Sequence, residues 1–347
     1  MINYKLQTES KHGGITQQQY IGNPHMKISE ASDRFIIHCK HTKKLSEHTL
    51  RAYQIDIDCF LAFSDRERGI NECDRLLLRD YLHHLYENCN LKNSSAKRRF
   101  ACLKAMFRWL ESEEDINESP FRKLNLPIRL PARLPRGLNK REIRKLLTEP
   151  LKQLGETHRN NLTTNRCIQI AEQPKQFRHF ISLITLDLLF ATGIRVAELV
   201  SIRIEDIDLS EGTIRIHGKG DRERLVFLPG HSLCKLLGIY IQVRQKIAIN
   251  NDYLIITSRG SKANTQYARL LVRDAGESAR LTRRITPHML RHSTATHLLN
   301  SGIDIRFVQR LLGHQSITTT QIYTQVSDTM LKQVLIKKHP MDNILGG

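Results

Sequence analysis

The chain has 347 residues and a mass of 40.2 kDa, enough for about two domains of ordinary size. Lys and Arg number 54 against 35 Asp and Glu, a formal net charge of +19 with a pI near 9.8. Hydrophobic residues at 40% exclude a collagen-like or wholly disordered chain. No segment is long and apolar enough for a transmembrane helix, and the N-terminus has no secretory h-region. The seven cysteines are scattered, without a C-x-x-C pair, which argues against a disulfide framework or a zinc ribbon and for a reducing, cytoplasmic setting. The basic surplus points to nucleic acid first and to an anionic membrane surface second.

In chain order, residues 1–25 are polar and aperiodic and are expected to form a mobile tail. Residues 26–126 read as a helical domain. Ile28, Ala31, Phe35 and Ile36 share one face of a first helix. Ser46 caps a second, on which Leu50, Tyr53, Ile57, Phe60 and Leu61 recur at helical spacing. A third is predicted near Asp74–Tyr86 and a fourth over Ser94–Leu110. That fourth helix carries Lys97, Arg98, Arg99, Lys104 and Arg108, with no acidic residue from Asn88 to Leu110. A one-sign face of this kind suits DNA better than plain solvent.

Residues 127–137 read as a stiff linker, with Pro127, Pro131 and Pro135 four apart, Arg129 and Arg133 between them and Arg136 after the last. Arg129 and Arg133 are therefore candidate phosphate contacts. Charge rises across this boundary. Residues 1–133 hold 22 Lys/Arg against 17 Asp/Glu, net +5, whereas residues 134–347 hold 32 against 18, net +14.

Residues 138–347 mix helices with a small sheet. Asn139 and Glu142 form a capping box. The stretch 150–176 is polar and poorly periodic and is expected to be an insertion or mobile loop. An apolar helix spans Phe177–Phe190. TIRIHG and RLVFLP make two strands joined by the turn GKGDRE, with DYLIITS as the expected third strand. Helices resume at Tyr267, and residues 328–347 form a tail with a short amphipathic helix bearing Met330, Leu331, Val334 and Leu335.

Four segments in this half carry chemistry. ATGIRVAEL places Arg195 and Glu198 at i and i+3 on one helical face. The hairpin tip GKGDRER presents Lys219 between two glycines, with Arg222 as a further DNA contact. TPHMLRHSTATHLL puts His288 and Arg291 on one face at a helix start marked by Thr286 and Pro287. VQRLLGHQSITTTQIYTQV runs from a helix through Gly313 and His314 to a second helix with Tyr323. Singly, each has a structural explanation: an ion pair, an exposed lysine, a core tyrosine. His288 and His292 at i, i+4 lack the glutamate and third ligand of a zinc site, and no P-loop is present, so neither metal nor nucleotide cofactor is expected.

Together the four segments suit attack on a phosphodiester. Two arginines and two histidines neutralise the charge that builds on its non-bridging oxygens. A lysine protonates the leaving sugar oxygen, and a tyrosine is the nucleophile. In this order the segments resemble the tyrosine recombinase (phage integrase) family, its Xer-type members above all. The family pattern of Arg, Lys, His-x-x-Arg, His or Trp, then Tyr is met by Arg195, Lys219, His288 with Arg291, His314 and Tyr323. Glu198 matches the family's acidic helper. LSEHTLRAYQIDIDCFLAF resembles its core-site-binding helical domain.

The resemblance spans roughly residues 27–340. It implies a mainly α fold with a small β-sheet, arranged as a C-clamp of a helical core-binding domain and an α+β catalytic domain. It further implies recombination at specific sites in double-stranded DNA through a 3′-phosphotyrosine intermediate. The active assembly would be a homotetramer on DNA, in some cases with a related partner recombinase, and the C-terminal tail would dock on the neighbouring protomer. Residues 1–25 are too short for a separate arm-type DNA-binding domain, and the stretch 150–176 is longer than in similar Xer proteins. Two rival readings are a type IB topoisomerase-like enzyme and a non-catalytic regulator built on the helix-turn-helix-like stretch IDIRFVQRLLGHQSITTTQIY.

Overall fold

The computed structural model describes residues 26–124, 128, 137–218, 223–248, 250–313, 333–335 and 338–345. Lys219, Arg222, His314, Tyr323, Arg129 and Arg133 lie outside these, as do residues 1–25, most of the 127–137 linker, and Met330 and Leu331 of the tail. The chain divides into two compact units, Met1–Arg133 and Leu134–Gly347, each with its own apolar core.

The first unit is built from α1 (Ile28–His41), α2 (Glu47–Ser64), α3 (Arg75–Glu87) and α4 (Asn93–Ser112). The Ser46 hydroxyl accepts the Thr49 amide at 3.3 Å and the Asp74 carboxylate accepts the Leu77 amide at 2.9 Å, so both starts are fixed by side-chain caps. Phe35, Ile57, Phe60, Leu78, Tyr81, Leu85, Leu103 and Phe107 are fully buried where the four apolar stripes meet. The basic face of α4 is narrower than its sequence suggests. Arg98 pairs with the buried Asp56 of α2, and the mostly buried Arg99 lies 3.8 Å from the same carboxylate. Burial pushes the Asp56 carboxyl up, against the pull of the two guanidinium groups. The acid that compensates them comes from another helix, and pairing it spends charge that the sequence alone leaves free for DNA. Lys97, Lys104 and Arg108 remain exposed along one face.

In the second unit α5 (Lys140–Gln153), α6 (Thr164–Ala171), α10 (Thr265–Ser278) and α11 (Pro287–Asn300) surround α7 (Pro174–Thr192). Every residue of α7 from Phe180 to Thr192 is buried, as befits a helix packed on all sides, and these include the polar Ser182, Thr185 and Asp187. The predicted capping box is present. The Asn139 side chain accepts the Glu142 amide at 2.9 Å, and Glu142 accepts the Asn139 amide at 2.8 Å.

The stretch 150–176 is not a loose insertion. α5 continues through Pro150, Thr163 caps α6, and Leu154, Leu162, Cys167 and Ile170 join the core. Arg159 makes a bidentate bond to the fully buried Asp187 of α7, at 2.8 and 2.9 Å. An eight-residue helix shows too few turns for its period to stand out, and the Arg159–Asp187 tie that holds the preceding turn to α7 crosses 28 residues.

The sheet has three antiparallel strands in the order β1 (Ile207–Asp208), β2 (Thr213–His217) and β3 (Glu223–Phe227). β2 and β3 are the two expected strands, registered from Thr213↔Phe227 to His217↔Glu223. The third strand is β1, not DYLIITS. That segment makes only the isolated bridges Arg203↔Tyr253 and Ile256↔Lys262. Its apolar core residues Leu254, Ile255 and Ile256 are buried without alternation, while β1 is too short to give a period-2 signal. Between the sheet and α10 runs α9 (His231–Gln245).

The described part of the C-terminal tail packs on its own unit. Leu335, and Met341 and Ile344 of α13 (Pro340–Leu345), belong to the same core cluster as α5 and α7. Of the predicted amphipathic stripe, Val334 and Leu335 are described and lie against this core, while Met330 and Leu331 fall outside the described residues. His339 anchors this part of the tail. Its Nε2–H donates to the Ala191 carbonyl at 2.9 Å, and its Nδ1 accepts the Met341 amide at 3.2 Å, which fixes the neutral tautomer. Burial pushes the imidazole down to about 4, against the Ala191 hydrogen bond. A base held below its ordinary value of about 6.5 contributes stability above that pH and loses it as the pH falls towards about 4. The described tail residues 333–335 and 338–345 should therefore lose amide-exchange protection selectively between pH 7 and pH 5. A His339→Leu protein should lack that dependence, and equal protection of the wild-type tail at both pH values would contradict it.

Candidate active site

α7 ends at Gly193, which has φ +61° and caps the helix in the left-handed region. A Cβ at this position would lie 2.6 Å from Leu312 Cδ2, so glycine is needed both for the turn and for the approach of α12 (Ile305–Leu312). Two residues on, Arg195 opens α8 (Val196–Leu199). Its backbone N–H donates to Glu198 Oε2 and its Nη1 to Glu198 Oε1, both at 2.8 Å, while Nη2 lies 3.5 Å from the Gly313 carbonyl. Glu198 is buried and also takes a bidentate bond from Arg224 of β3, at 3.0 and 2.8 Å. Burial pushes its carboxyl up, but the bonds from Arg224 and Arg195 outweigh that and hold it below the ordinary value.

α11 begins as its sequence predicts, with Thr286 accepting the Met289 amide at 3.3 Å and Pro287 in the first turn. His288, in that turn, is exposed. Arg291, one turn on, is 7% exposed and donates to the carbonyls of Gly193 at 2.7 Å and Leu312 at 2.6 Å. Thr294 donates to the Phe190 carbonyl at 2.8 Å, which binds α11 to the end of α7. Burial, reinforced by the nearby Arg195, pushes the Arg291 guanidinium down to about 10. It stays charged at neutral pH, and an incoming anion would relieve the repulsion.

Arg195, His288 and Arg291 line one cleft of about 530 Å³, together with Ile194, Ala197, Pro287 and two further arginines, Arg269 and Arg284. Three of the six expected catalytic residues thus converge there, with Glu198 behind Arg195; the other three lie outside the described residues. Sequence reading missed Arg224, Arg269 and Arg284. Arg284 stands four residues before His288, so proximity to the TPHMLRH segment was an available signal. Nothing in the spacing joins Arg224 to Glu198. Beside the hairpin, His217 bonds Asp206 Oδ1 and Glu223 Oε1, each at 3.0 Å, and the Asp206 bond raises its imidazole. Among the described residues no group of three or more His, Cys, Asp or Glu is placed to hold a metal ion, and no helix is long and apolar enough to cross a membrane.

Residues 160–330 match the sequence profile of the phage integrase family, and residues 33–114 that of the phage integrase N-terminal SAM-like domain. The tyrosine recombinase XerC of Oceanobacillus iheyensis is 32% identical over 320 residues, covering 90% of this chain and 96% of that protein. XerC of Staphylococcus aureus strain NCTC 8325 is 33% identical over 317 residues, covering 90% and 97%. Among solved structures, the XerH site-specific recombinase bound to difH substrate superposes with a TM-score of 0.58 at 25% identity, covering 87% of this chain and 82% of that one. A lambda integrase tetramer bound to a Holliday junction shares the fold, with a TM-score of 0.62 at 17% identity, covering 89% and 85%. The chain belongs to the tyrosine recombinase, or phage integrase, family. Its sequence relatives are Xer proteins, and its enzyme class is that of a DNA-binding site-specific recombinase.

Proposed function

We propose that the enzyme cleaves and rejoins strands of double-stranded DNA at specific recombination sites through a covalent 3′-phosphotyrosine intermediate. The Tyr323 oxygen attacks the phosphorus as its phenolic proton passes to solvent, the P–O5′ bond breaks, and Lys219 gives its proton to the departing 5′ oxygen. A 5′-hydroxyl from the exchanging strand reverses these steps, so the ester conserves the bond energy and no nucleotide is consumed. Arg195 and Arg291 take the charge on the non-bridging oxygens, with His288 and His314 as further donors, and Glu198 holds Arg195. The observation that carries this reading is the cleft itself. Two arginines and a histidine converge there, one arginine buried and destabilised until an anion arrives.

Lys97 and Lys104 of α4, exposed and free of the Asp56 pair, with Arg129, Arg133 and Arg222, contact the DNA backbone in this reading; Arg98 and Arg99 contribute to a lesser degree. The assembly is a homotetramer on DNA, as in the lambda integrase complex, and the exchange it performs is of the kind that serves integration, excision or dimer resolution.

The direct test is incubation with nicked suicide duplexes carrying candidate sites, then a denaturing gel for a protein–DNA band and peptide mapping of the adduct. A band mapping to Tyr323 is expected; no adduct with any duplex, or an adduct at another residue, would contradict the reading. Affinity should also fall steeply with salt. If six to ten phosphates are contacted, the loss is about 10³- to 10⁵-fold between 50 and 200 mM. Anisotropy titrations at several salt concentrations measure this, and a log–log slope near zero would remove the electrostatic basis for binding.

A further inference from the structure

The last carbonyls of α12 each face a guanidinium from a different element. Arg224 Nε donates to Leu311 O at 3.3 Å, Arg291 Nη2 to Leu312 O at 2.6 Å, and Arg195 Nη2 approaches Gly313 O at 3.5 Å. A helix end leaves such carbonyls without intrahelical partners and favours positive charge beside it. Arg195 and Arg291 also line the cleft. Arg224 opens instead to a surface hollow shared with Arg215, Glu223, Leu225 and Arg310. Each of its three nitrogens makes a bond, both Nη atoms to Glu198 and Nε to Leu311, and its Cζ lies 3.2 Å from where a Cβ on Gly313 would stand.

We infer that Arg224 is a positioning residue of the active site, resting on the strand-cleavage reading above: through Glu198 it fixes Arg195, and through Leu311 it fixes the end of α12. Glu198 is buried and bridges the two arginines, so without Arg224 it keeps only Arg195 and is left short of donors. Arg195, half-exposed, is then held by a carboxylate that no second guanidinium fixes in place. The α12 end, which leads directly into His314, loses one of its three cationic caps. A lysine keeps the charge at position 224 but cannot span two carboxylate oxygens and a carbonyl at once, because only the planar fork presents donors in that geometry.

The test is single-turnover cleavage of a suicide duplex by the full-length protein, with either a normal phosphate or a neutral methylphosphonate at the scissile position. Replacing one non-bridging oxygen by methyl removes a negative charge, so a misplaced guanidinium costs less there. Arg224→Lys should slow cleavage of the phosphate about 10- to 100-fold, the scale of a misaligned catalytic group, with near-normal DNA affinity and melting temperature. On the methylphosphonate the defect should shrink strongly, in parallel with that of Arg195→Ala. Combining Arg224→Lys with Glu198→Gln should slow cleavage no further than the worse single variant, since both act through one contact. Equal defects on the two linkages, an additive double variant, or a normal rate for Arg224→Lys would each overturn the positioning role. If wild-type protein forms no adduct on the normal phosphate, the strand-cleavage reading itself fails, and the role of Arg224 with it.

Discussion

A Tyr323→Phe protein is expected to bind duplex DNA with near-normal affinity and to form no covalent adduct at all. Phenylalanine keeps the ring and removes only the oxygen that would bond to phosphorus, so binding and chemistry separate cleanly. The competing tyrosines of the catalytic unit are distinguishable. Tyr240 is fully buried, donates to the Leu254 carbonyl at 3.1 Å, and has its phenol pushed well up by burial. Tyr267 is also raised by burial. Tyr253 is the stronger competitor, because the Lys262 ammonium beside it holds its phenol below the ordinary value. It lies against Arg203, not in the cleft. Peptide mapping of trapped wild-type protein, alongside the Phe variant, decides among them. Residual trapping by Tyr323→Phe would exclude Tyr323 as the nucleophile.

Arg291→Ala is expected to slow cleavage by at least about 10²-fold, the scale of losing one preorganised donor to a developing oxyanion. The loss should exceed that of a surface arginine, because the side chain also ties two segments together. Without it the carbonyls of Gly193 and Leu312 lose their donor in a buried setting. Arg291→Lys should fall between, keeping the charge but reaching only one of the two carbonyls. Single-turnover cleavage with melting temperatures for all three proteins separates chemistry from stability. Cleavage by Arg291→Ala within a few-fold of wild type would remove Arg291 from the mechanism.

What the sequence made legible was local. Caps such as Ser46, Asn139 with Glu142, and Thr286 with Pro287 act over three or four residues, and each helix start lies where they stand. The Arg195–Glu198 contact spans one helical turn and was readable for the same reason. What stayed hidden depends on pairing between distant segments. Asp56 neutralises Arg98 from 42 residues away, Glu198 receives Arg224 from 26 away, and Arg159 reaches Asp187 from 28 away. A two-residue strand and an eight-residue helix carry no period, so β1 and α6 were invisible for a different reason. The convergence of Arg195, His288 and Arg291 was legible only from the four segments taken together, through the one reaction they suit and the family they resemble.

Crowding, as distinct from backbone geometry, sets how freely this chain can drift at its tight turns. Gly193 and Gly302 both sit at positive φ, at +61° and +76°, but a side chain at 302 would meet nothing within 4 Å, while one at 193 would collide with Leu312. Asparagine tolerates the left-handed region at modest cost, so a library randomised at position 302 should return asparagine and a few polar residues beside glycine. The same library at position 193 should return chiefly glycine, because a Cβ there would stand 2.6 Å from Leu312 Cδ2 and drive that buried side chain out of its place. Selection for recombination would then hold position 193 fixed for a steric reason, although that residue takes no part in the chemistry.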